Sequence, residues 1–492
     1  MPSSRSFSLL VAATLVVACD EDPTRPGGSG SIDVEPQTIV VAPGDSVLVA
    51  VVVRDADGDP IPDAPFELSS SDESVAFVDA NGYVHGVEFG SAELTVTSGE
   101  LSAEADIAVQ LPAAEVALDL GDWHSCRLTG AGVAACWGQA SFGQLGIGVL
   151  PQTQCNASAC SMHPVSVAGG RSFSSISAGA AHTCAVTVLG EAYCWGANYD
   201  GTLGVPASGT CEFDAPCNLA PTRVAPGIAF RSIAAGAHFT CGLAIDGTAW
   251  CWGANFSGNL GDGTQEPVRT TPVEVAGDHS FVALAAGGSH ACGIDDEGAA
   301  WCWGARTAGQ VGDGVAGGES EPAWAPVAVS GELTFRAIVA GESHTCALTD
   351  DGAVWCWGLN ESGQLGTDES QECPGFFGAF ACSPTPVFVT AGLRALAAGG
   401  NHSCAITIQF HTFCWGQNLS GQLGTGSYEP ESAAVPVRVT GHHDWEAVSI
   451  GNSHTCAAVA GTRDVYCWGD NFLGQLGLGD TEGVPAPMAV LP

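Results

Sequence analysis

The sequence predicts an all-β protein: a seven-bladed β-propeller preceded by a small β-sandwich. Three observations carry that expectation. One unit, GESHTC ALTDDGAVW CWGLNESGQLG in its cleanest copy (Gly341 to Gly366), recurs seven times. Residues 31–110 instead alternate apolar and polar positions between closely spaced turn signals, the pattern of short strands in a sandwich. Glycine, at 66 of 492 residues, is nearly double its usual share of ~7%, as a chain made largely of turns requires.

The copies are counted from the Cys of GxxHxC, at Cys126, Cys184, Cys241, Cys292, Cys346, Cys404 and Cys456, separated by 51 to 58 residues. A period near 50 with strand-like content points to a propeller rather than a helical solenoid. Each unit reads as four short strands, in the second unit starting at Phe173, His182, Glu191 and Pro221, and four strands make one blade. The motifs GxxHxC, CWGxN, GQLG and PVxV resemble the repeat of the regulator of chromosome condensation family. That resemblance implies a seven-bladed propeller over residues 113–492. The copies differ in places: the third has Phe239 where the others have His, with His238 one place early, the fourth reads AGQVG, and the first has Ser141 in place of Asn.

The amino terminus carries Arg5 and an apolar run from Phe7 to Ala18, too short to span a bilayer and suited to a signal peptide. It ends VVAC. Small residues before a Cys look like a bacterial lipoprotein signal over residues 1–19, with Cys19 lipidated; the alternative is an ordinary secretory signal cleaved nearby. Residues 20–30 have no apolar content and read as a flexible tether. In residues 31–110, VAPGDSV, SSSDESVAFVDANGYVHGV and GSAELTVTS resemble the bacterial Ig-like domain of group 2, with Phe66 where that family often has Trp. An Ig-like β-sandwich acting as a spacer is implied. The DADGD run from Asp55 lacks the spaced Glu of an EF-hand and contains a hairpin signal, so it reads as a plain turn rather than a calcium loop.

The 21 cysteines divide cleanly. Seven pairs belong to the units: Cys126/Cys136, Cys184/Cys194, Cys241/Cys251, Cys292/Cys302, Cys346/Cys356, Cys404/Cys414 and Cys456/Cys467. Three pairs lie in loops: Cys155/Cys160, Cys211/Cys217 and Cys373/Cys382. Cys19 remains, and an odd Cys in an exported chain needs a role, which lipidation supplies. In six units the partners are ten residues apart around a turn, so a hairpin sets them side by side, with Cα atoms ~4.5 to 5.5 Å apart and within disulfide reach. In the last the spacing is eleven, and the extra residue is expected in the turn or a bulge. The competing reading is zinc, since each unit offers His, Cys and Cys. Structural zinc sites take four ligands, and paired cysteines in an exported chain favour oxidation, so no metal site is expected.

The repeated His and Trp read as packing between blades, with the His bonded to backbone. The units differ most between GQLG and PVxV, where the first, second and fifth carry long Cys-clipped loops. Equivalent loops emerge on one face, and variable loops on a rigid scaffold are where binding function usually sits. The fifth-unit loop, CPGFFGAFAC, places Phe376, Phe377 and Phe380 in a closed Gly-rich segment, as binding anchors or as a lid over apolar surface.

No catalytic motif is present, and no cofactor is expected. GHHDWE, with His442, His443, Asp444 and Glu446, reads as a solvated turn. The 13 basic residues are all arginine against 53 acidic ones, for a net charge of −40. That charge disfavours phosphate backbones and anionic lipid heads, so nucleic acid is not an expected partner and membrane contact is expected only through a lipid anchor. Three function classes follow. The first is a monomeric binding or scaffold module of the cell envelope, lipid-anchored or secreted, whose loop face engages a protein or glycan. The second is an exported enzyme with a site at the axial mouth, which needs an unrepeated acidic or His cluster that the linear sequence does not display. The third is guanine nucleotide exchange, implied by the resemblance and opposed by export and acidity.

Overall fold

In the computed structural model, residues 30–112, 117–318, 320–375, 378–441 and 443–491 are described. Cys19 and its flanking signal and tether segments, Phe376, Phe377 and His442 lie outside them. Apart from one 3-10 turn at Glu212–Asp214, the regular structure is all β. The chain divides into two compact units.

The first unit has three sheets. Thr38–Val41, Leu101–Val109, Gly90–Ser98 and Glu67–Ser70 form one, Ser46–Leu48, Tyr83–Gly86 and Ala76–Val78 a second, and Ser31–Glu35 pairs with Ala50–Arg54. The N–H groups of Asp106 and Gln110 donate to the Gln37 and Val41 carbonyls, each at 3.0 Å, so the edge strand Thr38–Val41 runs parallel to its neighbour. Alternation along each strand buries Ile39, Val53, Val84, Leu94, Val96 and Ile107, which is the inward half of a period-two pattern. Phe66 lies outside that core, 43% exposed. In DADGD the Asp55 carboxylate accepts the N–H groups of Asp57 and Asp59, each at 3.0 Å, closing an Asx-type turn.

In the second unit, strands follow one another into seven sheets, each built on four antiparallel strands. The second sheet is typical: Phe173–Ala178, His182–Thr187, Ala192–Ala197 and Pro216–Arg223. Because directions alternate, the GxxH turns and the GQLG connections fall at one end of every sheet, here called the loop end. The turns between second and third strands fall at the other, the turn end. In the first sheet the place of the CWGxN asparagine is held by Ala140, whose N–H donates to the Ala159 carbonyl as that of Asn198 does to Pro216; Ser141 is the residue after it.

Disulfides join the second strand of each sheet to the third: Cys126 to Cys136, Cys184 to Cys194, Cys241 to Cys251, Cys292 to Cys302, Cys346 to Cys356, Cys404 to Cys414 and Cys456 to Cys467. All fourteen residues are fully buried. Each pair is directly opposed in the ladder, as at Cys126/Cys136 and Cys184/Cys194. The Cα atoms stand 4.0 to 4.1 Å apart, closer than the ~4.5 to 5.5 Å expected of opposed strand residues. The expected distance is corrected for a physical reason: the pairs occupy the narrower kind of strand pair, without ladder hydrogen bonds between the two residues, where opposed Cα atoms approach most closely. In the seventh sheet the register holds from His454/Gly469 to Ala458/Val465. Its extra residue is therefore taken up in the turn, where Arg463 has φ 62°.

The CWG and PVxV motifs are two halves of one irregularity. In each sheet the third-to-fourth strand pairing shifts between the Cys and the Gly of CWG. The unpaired stretch opposite contains the Pro (Pro326 in the fourth sheet), which has no N–H to leave unsatisfied. The Gly must turn with φ 98 to 107°. At Gly358 a Cβ would stand 2.6 Å from the Ser343 carbonyl oxygen, so only Gly fits.

One contact set joins each sheet to the next. The backbone carbonyl of Gln144 accepts the Trp195 indole N–H at 2.9 Å and the Thr183 hydroxyl at 2.9 Å, both from the following sheet. Having donated its proton, that hydroxyl oxygen accepts from Nε2 of His124 at 2.9 Å. The imidazole is thereby fixed as the Nε2–H tautomer. The set recurs at every junction but one, and the seventh sheet completes it on the first: Trp137 and Ser125 donate to the Gln475 carbonyl, and His454 meets Ser125. The His partner is thus a hydroxyl on the neighbouring sheet, not the backbone acceptor expected from sequence. The final Gly of GQLG lets the carbonyl loop lie on the ring: a Cβ at Gly146 would be 2.6 Å from Trp195 Nε1.

The exception, between the third and fourth sheets, explains the outlying Phe239. Its counterpart across the interface is Ala291, which has no hydroxyl, and both are buried. Loss of the donor is matched by loss of the acceptor, and only the Trp303 bond to the Asn259 carbonyl remains, at 2.9 Å.

The junctions can be tested singly. Thr345→Ala leaves the His290 N–H buried without an acceptor and should cost about 1–3 kcal/mol. In a His290→Phe background the same change should cost markedly less, because that pair copies Phe239/Ala291; equal costs in a denaturant double-mutant cycle would refute the coupling. Desolvation also lowers His124, His182, His290, His402 and His454 to about 3, and His344 to about 4. A depressed histidine contributes stability that is complete above the unfolded value of ~6.5 and lost as pH falls toward the folded one. Unfolding near pH 5 should therefore take up about six protons from these rings, read as the slope of stability against pH, and His290→Phe should remove about one.

Candidate binding face

At the axis, the seven first strands and the GxxH turns that follow them enclose a cavity of about 330 Å³. Most of its wall is Gly, Ala and branched aliphatic residues, which the repeat places there seven times over. Its ionisable groups are not repeated. Asp119 lies in the wall, accepting the Ala178 N–H at 3.0 Å and the Ser449 hydroxyl at 3.4 Å, and so ties the first sheet to its neighbours on both sides. Burial raises it to about 6. At the loop-end mouth, Asp122, Glu342 and Asn452 occupy the position after the Gly of GxxH, where the other four units have Ala or Gly. Burial and the Glu342 carboxylate raise Asp122 to about 6, and His238 opposes the shift. Among the described residues no three His, Cys, Asp or Glu side chains are placed to hold one metal ion. Sequence reading missed this cluster because its members are scattered between positions 122 and 342; the signal was the variable pair inside GxxH.

Further out at the same end are the clipped loops. Cys155–Cys160, Cys211–Cys217 and Cys373–Cys382 each close a hairpin that prolongs a fourth strand. The first two meet where the Ala159 N–H donates to the Glu212 carboxylate at 3.4 Å, and the Glu212 N–H donates to the carbonyl of Ser141, in the GQLG turn of the first sheet, at 3.1 Å. There Phe142 lies edge-on to Tyr199, ring centroids 6.1 Å apart, and 6.3 Å from Phe213. Phe213 is 76% exposed and Tyr199 53%. Phe213 also has φ 59° and Asp214 φ 56°, a left-handed conformation that is unfavourable for a bulky side chain. Phe256 and Phe472, in the equivalent turns of the third and seventh sheets, are 63% and 54% exposed. The Asn156 amide of the first clipped loop donates to the Phe472 carbonyl at 2.7 Å. The sequence does not single out Phe142, Tyr199, Phe256 or Phe472, because each stands inside an otherwise ordinary turn of the repeat.

Of the fifth-loop rings, Phe380 is half-buried and packs over Gly375, where a Cβ would meet it at 3.0 Å; Phe376 and Phe377 lie outside the described residues. In GHHDWE, His443 packs against Trp445 and Tyr466, centroids 5.1 and 4.5 Å away, at the turn end and far in the fold from the clipped loops.

Comparison with known proteins agrees with this architecture. Residues 215–492 match the family described as RCC1-like domain, residues 136–186 and 173–202 match the regulator of chromosome condensation repeat, and residues 30–109 match the bacterial Ig-like domain (group 2). The ultraviolet-B receptor UVR8 of Arabidopsis thaliana is 27% identical over 379 residues, covering 77% of this chain and 82% of the receptor. The E3 ubiquitin-protein ligase HERC2 of Homo sapiens is 28% identical over 380 residues, 75% of this chain but only 7% of the ligase. Among solved structures, Prp20p of Saccharomyces cerevisiae superposes with TM-score 0.60 at 22% identity, over 73% of this chain and 85% of that one. Human WBSCR16 gives 0.61 at 20%, over 72% and 94%. With a match spanning more than half its length, and with the tryptophan and carbonyl contacts repeated at every sheet junction, the chain belongs to the RCC1-like domain family.

Proposed function

We propose that this protein is an exported binding module and not an enzyme. In this reading the seven sheets are the blades of one closed seven-bladed propeller, Cys19 is a lipid anchor, and the Ig-like domain is a spacer. The protein works as a monomer of the cell envelope, with the loop end engaging a protein or glycan. One observation carries it: the aromatic side chains of the second unit that are more than half exposed among the described residues, Tyr199, Phe213, Phe256 and Phe472, gather at a single end of the sheets. Exposed aromatics on a rigid frame are efficient anchors because little freedom is lost on binding. The solved relative Prp20p was described with binding to Gsp1p and histones, a precedent for protein recognition on this fold. Ten disulfides suit an oxidising compartment.

A second reading is favoured by the axial mouth. Asp122, Glu342 and His238 make an unrepeated titratable group beside a cavity, the arrangement expected of a site for acid and base chemistry.

The two readings separate in one experiment. Photo-crosslinking residues placed at Phe256 or Phe472 of the full oxidised chain should trap a partner in the native envelope, and the same probes at Leu189 or Ile408 of the turn end should not. Equal trapping from both ends would remove the loop-end reading, whereas capture lost only on Asp122→Asn would support the axial one. Asp122→Asn has its own signature. A carboxyl raised from 3.8 to about 6 contributes stability that is present below the unfolded value and lost as pH rises through the folded one. The variant should be more stable than the parent by about 1–3 kcal/mol at pH 7, the difference fading below about pH 4; a variant no more stable at pH 7 would show that the charge is not strained.

A further inference from the structure

The ends of the second unit differ in charge. Of the ten arginines between residues 117 and 491, only Arg269 and Arg306 stand at the loop end. Both are consumed in ion pairs, with Asp262 and Asp313, each at 2.9 Å. The other eight lie toward the turn end, and the chain has no lysine. Among the described residues, then, the loop end presents no unpaired fixed cation, while carboxylates remain in number. Asp200, Glu212 and Asp214, direct sequence neighbours of Tyr199 and Phe213, are at least partly exposed and have no arginine partner among the described residues.

These carboxylates adjoin the exposed rings, and the pairing has a chemistry. A guanidinium group is planar and weakly hydrated, stacks on aromatic faces and forks onto carboxylates. The protein itself shows the stacking: Arg171 lies 4.3 Å over the Tyr193 ring and Arg394 4.4 Å over Phe410, both at the turn end. The loop end has the rings without the cations. Phe213 is held outward in a left-handed backbone conformation inside the Cys211–Cys217 clip, so its exposure is built into the loop and is not a failure to fold back.

We propose that the loop-end cluster of Phe142, Tyr199 and Phe213, with Asp200, Glu212 and Asp214, docks an arginine-rich segment of a partner protein. This rests on the loop-end reading above and adds the partner's chemistry. The acidic rim steers the segment in, and the rings distinguish arginine from lysine.

The test uses the oxidised full chain and fluorescein-labelled oligoarginine, oligolysine and oligoglutamine of equal length, followed by anisotropy at physiological salt. Oligoarginine should bind more tightly than oligolysine by at least about threefold, and oligoglutamine should not bind. Tyr199→Ser with Phe213→Ser should weaken oligoarginine about tenfold and oligolysine little. Asp200→Asn with Asp214→Asn should weaken both and flatten the salt dependence. Leu189→Ser with Ile408→Ser, at exposed turn-end sites, is the control and should change nothing; unchanged melting of all variants excludes misfolding. Arginine and lysine peptides bound alike, with the aromatic variant unaffected, would reduce the effect to the field of the net charge and overturn the proposal. Failure of oligoarginine to bind while loop-end crosslinks still trap a partner overturns the chemistry alone; loss of both overturns the loop-end reading as well.

Discussion

The second unit depends on one acceptor. At each junction a backbone carbonyl in the GQLG turn, Gln144 or its equivalent, receives an indole N–H and, at six of seven junctions, a hydroxyl from the next sheet. A carbonyl oxygen has two lone pairs, and where the hydroxyl is present both are used. Seven fully buried tryptophans would each strand an N–H in an apolar interior without it, at a cost of about 1–3 kcal/mol apiece. The carbonyl can reach the indole only if the turn lies flat on it, which requires Gly at the next-but-one position. Trp in CWG and Gly in GQLG are therefore two ends of a single contact, separated in sequence by a whole unit and in space by one interface.

The histidine is a third member of that contact, and its chemistry follows from the order in which protons are given away. The hydroxyl donates to the carbonyl, so it can only accept from the ring, and Nδ1 is left as a bare lone pair. In His124, His290, His344, His402 and His454 that atom has no partner, and in His124, His290, His344 and His454 it lies against the Gly that opens GxxH; a Cβ at Gly341 would lie 2.6 Å from His344 Nδ1. Protonation would put an N–H where nothing can receive it, which is why these rings resist acid. The Phe239/Ala291 junction supplies the converse case within the same chain: the donor and acceptor are dispensable together and not one at a time.

The repeat was legible because it is imposed by packing, and packing is local in the motif. GxxHxC and CWG recur at fixed spacing, so the hairpins, the facing cysteines and the fourfold strand count could be read directly. The closeness of the cysteine pairs could not, since it depends on which kind of strand pair they occupy, and spacing alone does not say. The hydroxyl partner of each His was harder to see, since it is the x of HxC one unit later and is Thr in some units and Ser in others. Asp122, Glu342 and His238 were invisible for the opposite reason. They are what remains when the repeat is subtracted, and only the turning of seven sheets about one cavity brings them together. The aromatic cluster is intermediate: Tyr199 and Phe142 stand one position apart in their respective turns, so aligning the units hides that they touch.

Covalent and non-covalent constraints divide the work by range. Each of the ten disulfides among the described residues closes a loop within one sheet or its hairpin extension, and none joins two sheets. Such short loops restrict the unfolded chain only locally, by about 2–3 kcal/mol each on a chain-entropy account, with incomplete additivity because a denatured hairpin is already constrained. The seven within the sheets fix the second-to-third strand register, which places Trp and hydroxyl side by side on one face and His on the other. Contacts between sheets carry the longer range, and their buried part runs through the His, hydroxyl and Trp side chains, which cannot change singly. Variation at the loop end falls on positions outside both systems: the two residues inside GxxH, the residue after the Asn of CWGxN, and the loop before the fourth strand. Each of these opens at the loop end. A fold stabilised in this way accommodates its longest loops, the three clipped hairpins, at that one end, and with them the capacity to build a binding surface there.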